Sequence, residues 1–286
     1  MANKKKSGSR AKGSANAKTA TVVKVGKSSK NSLLTSLKTW NITLAVVLAI
    51  QAIVILVMSK TVSLPVVTHY LTPDTLALQT TGHNMLGSAV RHLFDVNLAY
   101  LVAAFLIVPT IIHTLAVTVW RDHYKSDLNN GVNCLRTGEF ILGGGLVLVA
   151  LALITGIYEI SLLVCLFSLI ALGAILSHVL EFSRGKIKLP SWITLSFILF
   201  TVLVPWLIIA MYLKASLMYG SGLPHFVYWA DTVTYILFAA TAVNFYLSGR
   251  KKDRWADSTF GERIYMLISL ASKTAVAWLL FAGVLR

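Results

Sequence analysis

Ile264-Tyr265-Met266-Leu267-Ile268-Ser269-Leu270-Ala271-Ser272-Lys273-Thr274-Ala275-Val276-Ala277-Trp278-Leu279-Leu280-Phe281-Ala282-Gly283-Val284-Leu285 is an apolar run with one lysine at its middle. Crossing a hydrocarbon core of ~30 Å at ~1.5 Å per helical residue takes about 20 such residues. Arg263 and Arg286 bracket the run, which puts Lys273 about 15 Å from the nearer end of a helix rising ~1.5 Å per residue. That is too deep for the amine to snorkel out easily. A charge at such a depth costs about 2.5–3.5 kcal/mol on insertion scales and needs a reason. In one reading Lys273 pairs with a buried acid and ties helices together. In the other its amine, desolvated and reactive, forms a Schiff base with a carbonyl compound. Spacing alone leaves both open.

Six further apolar runs lie near residues 40–59, 96–119, 138–157, 160–180, 191–213 and 226–248, so the chain reads as an all-α bundle of seven transmembrane helices. Only Tyr158 and Glu159 separate the third run from the fourth, and a six-span chain with one long bent helix is the alternative. The composition agrees: 56% of the 286 residues are hydrophobic and 13% charged, against about 25% charged in a soluble domain. A water-soluble globular enzyme and a disordered binding protein are both excluded. Cys134 and Cys165 are too few for a disulfide framework or a thiolate metal site.

The cations orient the weave. Of the 26 Lys and Arg, all but Lys60, Arg91, Lys214, Lys273 and Arg286 fall before the first run or in connections on that same side. The positive-inside rule then places the N-terminus in the cytoplasm and the C-terminus outside. The formal charge of +15 is accounted for mainly by topology, and no nucleic-acid partner is expected. Residues 1–38, rich in Lys, Ser, Ala and Gly, read as a disordered basic tail ahead of a helical domain at 39–286. Such a tail either only sets topology or also binds anionic lipid, at roughly 1 kcal/mol per nearby cation. The long external connection Lys60–Asp95 predicts a short β-hairpin whose β-branched strands flank Thr72-Pro73-Asp74, serving as a lid or partner surface.

Most of the eleven acids, including Glu159, Glu181 and Glu262, fall in loops or at span ends. Asp231 stands in the first turns of the sixth span, where an exposed or helix-N-terminal role is expected rather than a buried one. Glu139 follows Arg136 by three residues on one helix face. It is the natural partner for a buried cation, provided that the third helix begins near Val132 or tilts.

Several blocks resemble heliorhodopsins. In the seventh span these are Gly261-Glu262-Arg263-Ile264-Tyr265, the segment Leu267 to Lys273, Ala277-Trp278 and Phe281 to Leu285. Trp40-Asn41, Gln51, Gly156-Ile157-Tyr158-Glu159, Val204-Pro205-Trp206, Ala210 to Leu213, Phe226-Val227-Tyr228 and Ala242-Val243-Asn244 match as well, so the likeness runs from Trp40 to Arg286. The inverted orientation read from the cations is also a mark of that family. The resemblance implies that Lys273 binds all-trans-retinal as a Schiff base and that Glu139, within Arg136-Thr137-Gly138-Glu139, is its counterion. It further implies a homodimer with the external loop contributing contacts. Trp206, Trp278, Phe140 and Phe238 would line the chromophore, although tryptophans here could equally be packing residues. Ser269 would stand one turn before the lysine where ion-pumping relatives carry a second aspartate. His113 would join a polar network near the Schiff base or be an ordinary core histidine. Three positions depart from the family pattern: Leu48 replaces a first-span histidine, Phe140 a tyrosine, and Ile170 a fourth-span asparagine. Each removes a polar group, and a drier cavity is expected.

The reading that follows is a non-enzymatic, slow-cycling light sensor in the cell membrane. Helix movement would be read by a cytoplasmic signalling partner, and no ion would be pumped because no proton donor is evident. The rivals are a light-driven or light-gated proton transporter and a pigment-free seven-span scaffold.

Overall fold

A computed structural model describes residues 36–82, 85–183 and 191–286. The tail before Ser36 and the basic connection carrying Arg184, Lys186 and Lys188 lie outside the described residues. Among the described residues, seven helices are long and apolar enough to cross a membrane. They are α1 (Ser36–Met58), α3 (Leu98–Val117), α5 (Cys134–Ile154), α6 (Ile160–Phe182), α7 (Ser191–Tyr219), α8 (His225–Arg250) and α9 (Ser258–Leu285). Hydrocarbon offers no partner for a free N–H or C=O, so an apolar segment satisfies its own backbone as a helix. Between α1 and α3 lie β1 (Ser63–Pro73), the short α2 (Thr75–Thr81) and β2 (Leu86–Asn97). A short polar helix, α4 (Arg121–Asn130), precedes α5.

Local chemistry sets the boundaries. At Gly156 the backbone turns left-handed (φ 97°), and the amides of Gly156 and Ile157 close back onto the carbonyls of Leu153 and Ala152. This is a Schellman stop. It ends α5, and Glu159 in extended conformation opens α6, so the third and fourth runs are two helices and not one bent one. At the other end of α5, Gly131 (φ 74°) closes α4 and the Asn133 side chain caps the new helix by accepting from the Arg136 amide at 3.0 Å. The helix therefore starts at Cys134, one turn before the hydropathy of the segment suggests. Glu139 gains the depth its pairing needs.

The external hairpin differs from expectation in its second strand. Thr75–Thr81 is helical, and β1 pairs antiparallel with Leu86–Asn97, from Ser63 opposite Asn97 to Pro73 opposite Leu86. Pro73-Asp74 ahead of Thr75-Leu76-Ala77-Leu78-Gln79 suits a helix start better than a strand turn. Val67 N–H donates to the Tyr158 carbonyl at 2.9 Å and Leu98 N–H to Val62 at 2.8 Å, tying the hairpin to the bundle. His69 Nδ1 meets a Glu159 oxygen at 2.5 Å.

Leu44, Leu48, Ile55, Phe105, Leu106, Leu148, Leu151 and Leu166 form the fully buried core. Ile53, Val57, Phe200, Leu207 and Met211 are exposed, as lipid-facing side chains of a spanning bundle are. Ends of helices that carry α4 and the α8–α9 connection form the basic end; the hairpin lies at the opposite end.

Candidate functional site

Lys273 and Glu139 meet inside the bundle. Both are buried, 4% and 1% exposed, with Lys273 Nζ donating to Glu139 Oε1 at 2.7 Å. Ser269, one helical turn before the lysine, accepts from Nζ and donates to the same carboxylate oxygen. A buried ammonium is tolerable only with this kind of pairing. The backbone makes room for it. A five-residue π turn at Phe140–Gly144 interrupts α5, a device frequent at functional sites. It brings Gly143 beneath the lysine chain, where an added Cβ would stand 3.1 Å from Lys273 Cε. At Gly144 a Cβ would touch Ile170 and the Phe140 ring at 3.6 Å.

The aromatic groups sort into two sets. Phe140 packs on Phe238 with centroids 5.2 Å apart, and Trp206 stands edge-on to Phe238 at 5.9 Å. Phe140, Phe238, Ile170 and Ala174 line a cavity between α5, α6, α7 and α8 that extends to Arg136 and Glu181. Trp278 is elsewhere: it is 39% exposed and packs against Phe281, so the structure does not bring it to this group. Leu48 is fully buried and Ile170 nearly so; both fill apolar space.

His113 is buried on α3 with Nε2 3.7 Å from Glu139 Oε2. Its Nδ1 lies 2.8 Å from Asn41 Oδ1, while the Asn41 amide nitrogen donates to the Leu37 carbonyl at 2.8 Å and to the Tyr124 hydroxyl at 3.4 Å. Burial pushes the Tyr124 phenol up, so it stays protonated. Hydropathy gives no sign of this file, because Asn41 and Tyr124 are isolated polar residues whose meeting is a tertiary event. A loss of polarity at Leu48 leaves the Asn41–His113 pair intact.

Three acids are placed differently from the sequence reading. Glu181 and Glu262 sit at span ends yet are buried, 5% exposed each. Both accept from the Arg136 guanidinium, which clamps α5, α6 and α9 together. Arg136 therefore serves these two and not Glu139. Asn133 adds a donor to Glu262 at 2.9 Å, and the Tyr265 ring lies under the guanidinium at 5.6 Å. Asp231 is buried as well, 3% exposed, accepting from Thr155 at 3.3 Å. A position near a helix start does not keep it in water, because the end of α5 covers it.

An amine beside a carboxylate, a glycine floor that a Cβ would fill, and an aromatic wall together suit a long conjugated aldehyde. Retinal fits these residues: Lys273 would bind its carbonyl carbon, with Phe140, Phe238 and Trp206 against the polyene or ring. Among the described residues there is no cluster of three or more His, Cys, Asp or Glu able to hold a metal.

No curated protein matches the chain. Among solved structures it is similar to the transmembrane domain of the rhodopsin phosphodiesterase of Salpingoeca rosetta, with a TM-score of 0.59 over 89% of this chain and 87% of that one. At 11% identity this likeness shows the fold alone, and it concerns only that protein's membrane domain. The family model named Heliorhodopsin matches residues 37–285. Covering the whole seven-helix bundle, that match shows that the chain belongs to the heliorhodopsin family, and it is therefore a multi-pass, retinal-binding, light-sensing rhodopsin.

Proposed function

We propose that this chain is a light sensor in which Lys273 carries all-trans-retinal as a Schiff base and Glu139 is its single counter-charge. The observation that carries the proposal is the buried amine held 2.7 Å from a buried carboxylate at mid-span. When bound, retinal supplies light absorption and a photoisomerisable double bond. The chain's own groups do the rest. Glu139 stabilises positive charge on the Lys273 nitrogen through its opposite charge. Ser269, a hydroxyl, bonds both partners without adding charge. Gly143 leaves space for the lysine chain, and Phe140, Phe238 and Trp206, packed on one another, would stand against the chromophore.

The signal leaves toward the basic end, which the cation distribution assigns to the cytoplasm. Arg136 lies one helical turn from Glu139 and binds both α6 and α9, so a displaced Glu139 pulls on a junction of three helices. A cytoplasmic partner reading that junction, a slow cycle and a homodimer paired through the external hairpin complete the reading. Against ion pumping stands the hairpin-side half of α5, Gly145–Ile154, which has no polar side chain. Asp231 meets α5 only beyond it, at Thr155.

The test is expression with all-trans-retinal followed by an absorption spectrum. A visible band that hydroxylamine bleaches and that Lys273→Ala abolishes is the expected result. A colourless protein would favour the scaffold reading, in which Lys273 is a structural ion-pair member. A protonophore-sensitive pH or current change on illumination would favour the transporter.

A further inference from the structure

The orientation of one amide decides how His113 faces Glu139. A backbone carbonyl only accepts, so the Asn41 group 2.8 Å from the Leu37 carbonyl must be the NH2. The Asn41 oxygen is then the atom 2.8 Å from His113 Nδ1, and an amide oxygen only accepts. Nδ1 must therefore carry a hydrogen. In a neutral imidazole the other nitrogen, Nε2, is left as a lone pair. Nε2 is buried, has no hydrogen-bond partner among the described residues, and lies 3.7 Å from Glu139 Oε2. Two proton acceptors thus face each other across a gap slightly too long for a hydrogen bond. Arg136, Glu262 and Tyr265 line the same small cavity.

We propose that Asn41 is a positioning residue that fixes His113 in its Nδ1–H tautomer, with the Nε2 lone pair turned toward Glu139. The inference deepens the proposed function and rests on Glu139 being the counter-charge. Its consequence is directional. A proton that arrives on Glu139 passes to Nε2 by breaking the carboxyl O–H bond and forming the N–H bond. A carboxylate and an imidazolium result, held by their own attraction. With the opposite tautomer, Nε2–H would donate to Glu139 and no acceptor would face it. The Leu37 carbonyl does the locking, because an Asn41 flip would turn two oxygens toward each other there.

The test is 15N NMR of histidine-labelled full-length protein in lipid bilayers, with the His113 signals identified by their loss in His113→Gln. An absorption spectrum is taken on the same sample. In the wild type one ring nitrogen, Nδ1, is expected to be protonated and Nε2 bare. Asn41→Leu removes the lock and moves the proton wholly or partly to Nε2. Tyr124→Phe, which keeps the Leu37 bond, leaves the tautomer unchanged. A wild-type His113 protonated on Nε2 or on both nitrogens overturns the proposal, as does an Asn41→Leu spectrum identical to wild type. If Asn41→Leu does not fold, the wild-type signals alone decide. A sample without a visible band defeats the light-sensor reading instead, and its nitrogen spectrum still reports the tautomer.

Discussion

Three glycines on α5 separate the space needed by the lysine from the space needed by helix packing. At Gly143 an added Cβ stands 3.1 Å from Lys273 Cε, so the neighbour must give by a few tenths of an ångström. A free lysine tip would move aside at little cost. This one is held at Nζ by Glu139 and Ser269, and Pro109 stands 3.8 Å from the same added Cβ. Overpacking of this kind costs about 1–3 kcal/mol, or roughly 5–150-fold in an equilibrium at ~1.4 kcal/mol per decade. Replacing a helical glycine by alanine returns up to about 1 kcal/mol of helix preference to pigmented and retinal-free protein alike. Gly143→Ala should therefore lower retinal occupancy and shift the absorption band. Because the contact is already present without retinal, the melting temperature of the retinal-free protein should fall as well, by less than the crowding alone would cause. At Gly145 a Cβ would fall 2.5 Å from the Phe167 ring, so Gly145→Ala should lower melting temperature. Gly138 has nothing within 4 Å of its would-be Cβ, and Gly138→Ala should be neutral or stabilising. The assays are pigment yield, absorption maximum and thermal melting for all three. A Gly143→Ala protein with wild-type occupancy and colour, alongside a Gly145→Ala protein altered in both, would refute the placement of Lys273 over Gly143.

Glu139→Gln removes the proposed counter-charge, and the protonated pigment should absorb at longer wavelength; an unchanged spectrum assigns the counterion elsewhere. Arg136→Met strands two buried glutamates, for which about 3–5 kcal/mol is the usual cost. Its melting temperature should fall sharply, and Glu181→Gln with Glu262→Gln in the same protein should recover part of the loss. At the hairpin, the hydrogen bond from His69, helped by Ser161, holds the Glu159 carboxyl below its ordinary range. A depressed carboxylate stabilises the folded form above the unfolded value of about 4.3 and ceases to do so as pH falls through the lower folded value. Hydrogen-exchange protection of the Val67 amide, which bonds Tyr158, should drop in that acid window. Glu159→Gln should remove the pH dependence, and pH-independent protection in the wild type would contradict this role for the His69–Glu159 contact. Asp231→Asn should leave pigment colour and photocycle untouched; loss of a light-driven proton signal in that variant would support transport.

Charges against an apolar background are what sequence makes visible, which is why Lys273 and Glu139 stood out. The hairpin existed in the sequence as β-branched residues, but its second strand did not. Leu86–Asn97 runs straight into α3, the second span, with Asn97 serving as the cap whose side chain accepts from Ala99 and Tyr100. Hydropathy absorbed its end into the following span. The start of α5 was legible in Gly131 and Asn133, yet hydropathy measures polarity and not helicity, and the polar turn at 134–137 looked like loop. Glu181, Glu262 and Asp231 could not be placed that way at all. Polarity at a span end fits exposure and burial equally, and only the side chain arriving from another helix, Arg136 or Thr155, decides between them.

The same contacts give the site a direction. On the side of Glu139 toward the basic end, Asn41 and Tyr124 continue from His113, and Arg136 joins Glu181 and Glu262. From Gly145 onward α5 turns wholly apolar for ten residues, ~15 Å of helix at ~1.5 Å per residue. A change of charge at Glu139 is felt most where the surroundings are both polar and close, because Coulomb energy falls with distance and buried pairs are poorly screened. Arg136 is the nearest such group along the chain, and it is bonded to two other helices. The aliphatic half, with Leu148 and Leu151 packed in the core, offers no charge to respond. Under the proposed function, a change of charge at Glu139 would therefore be passed to the basic end, where α4 and the α8–α9 connection lie.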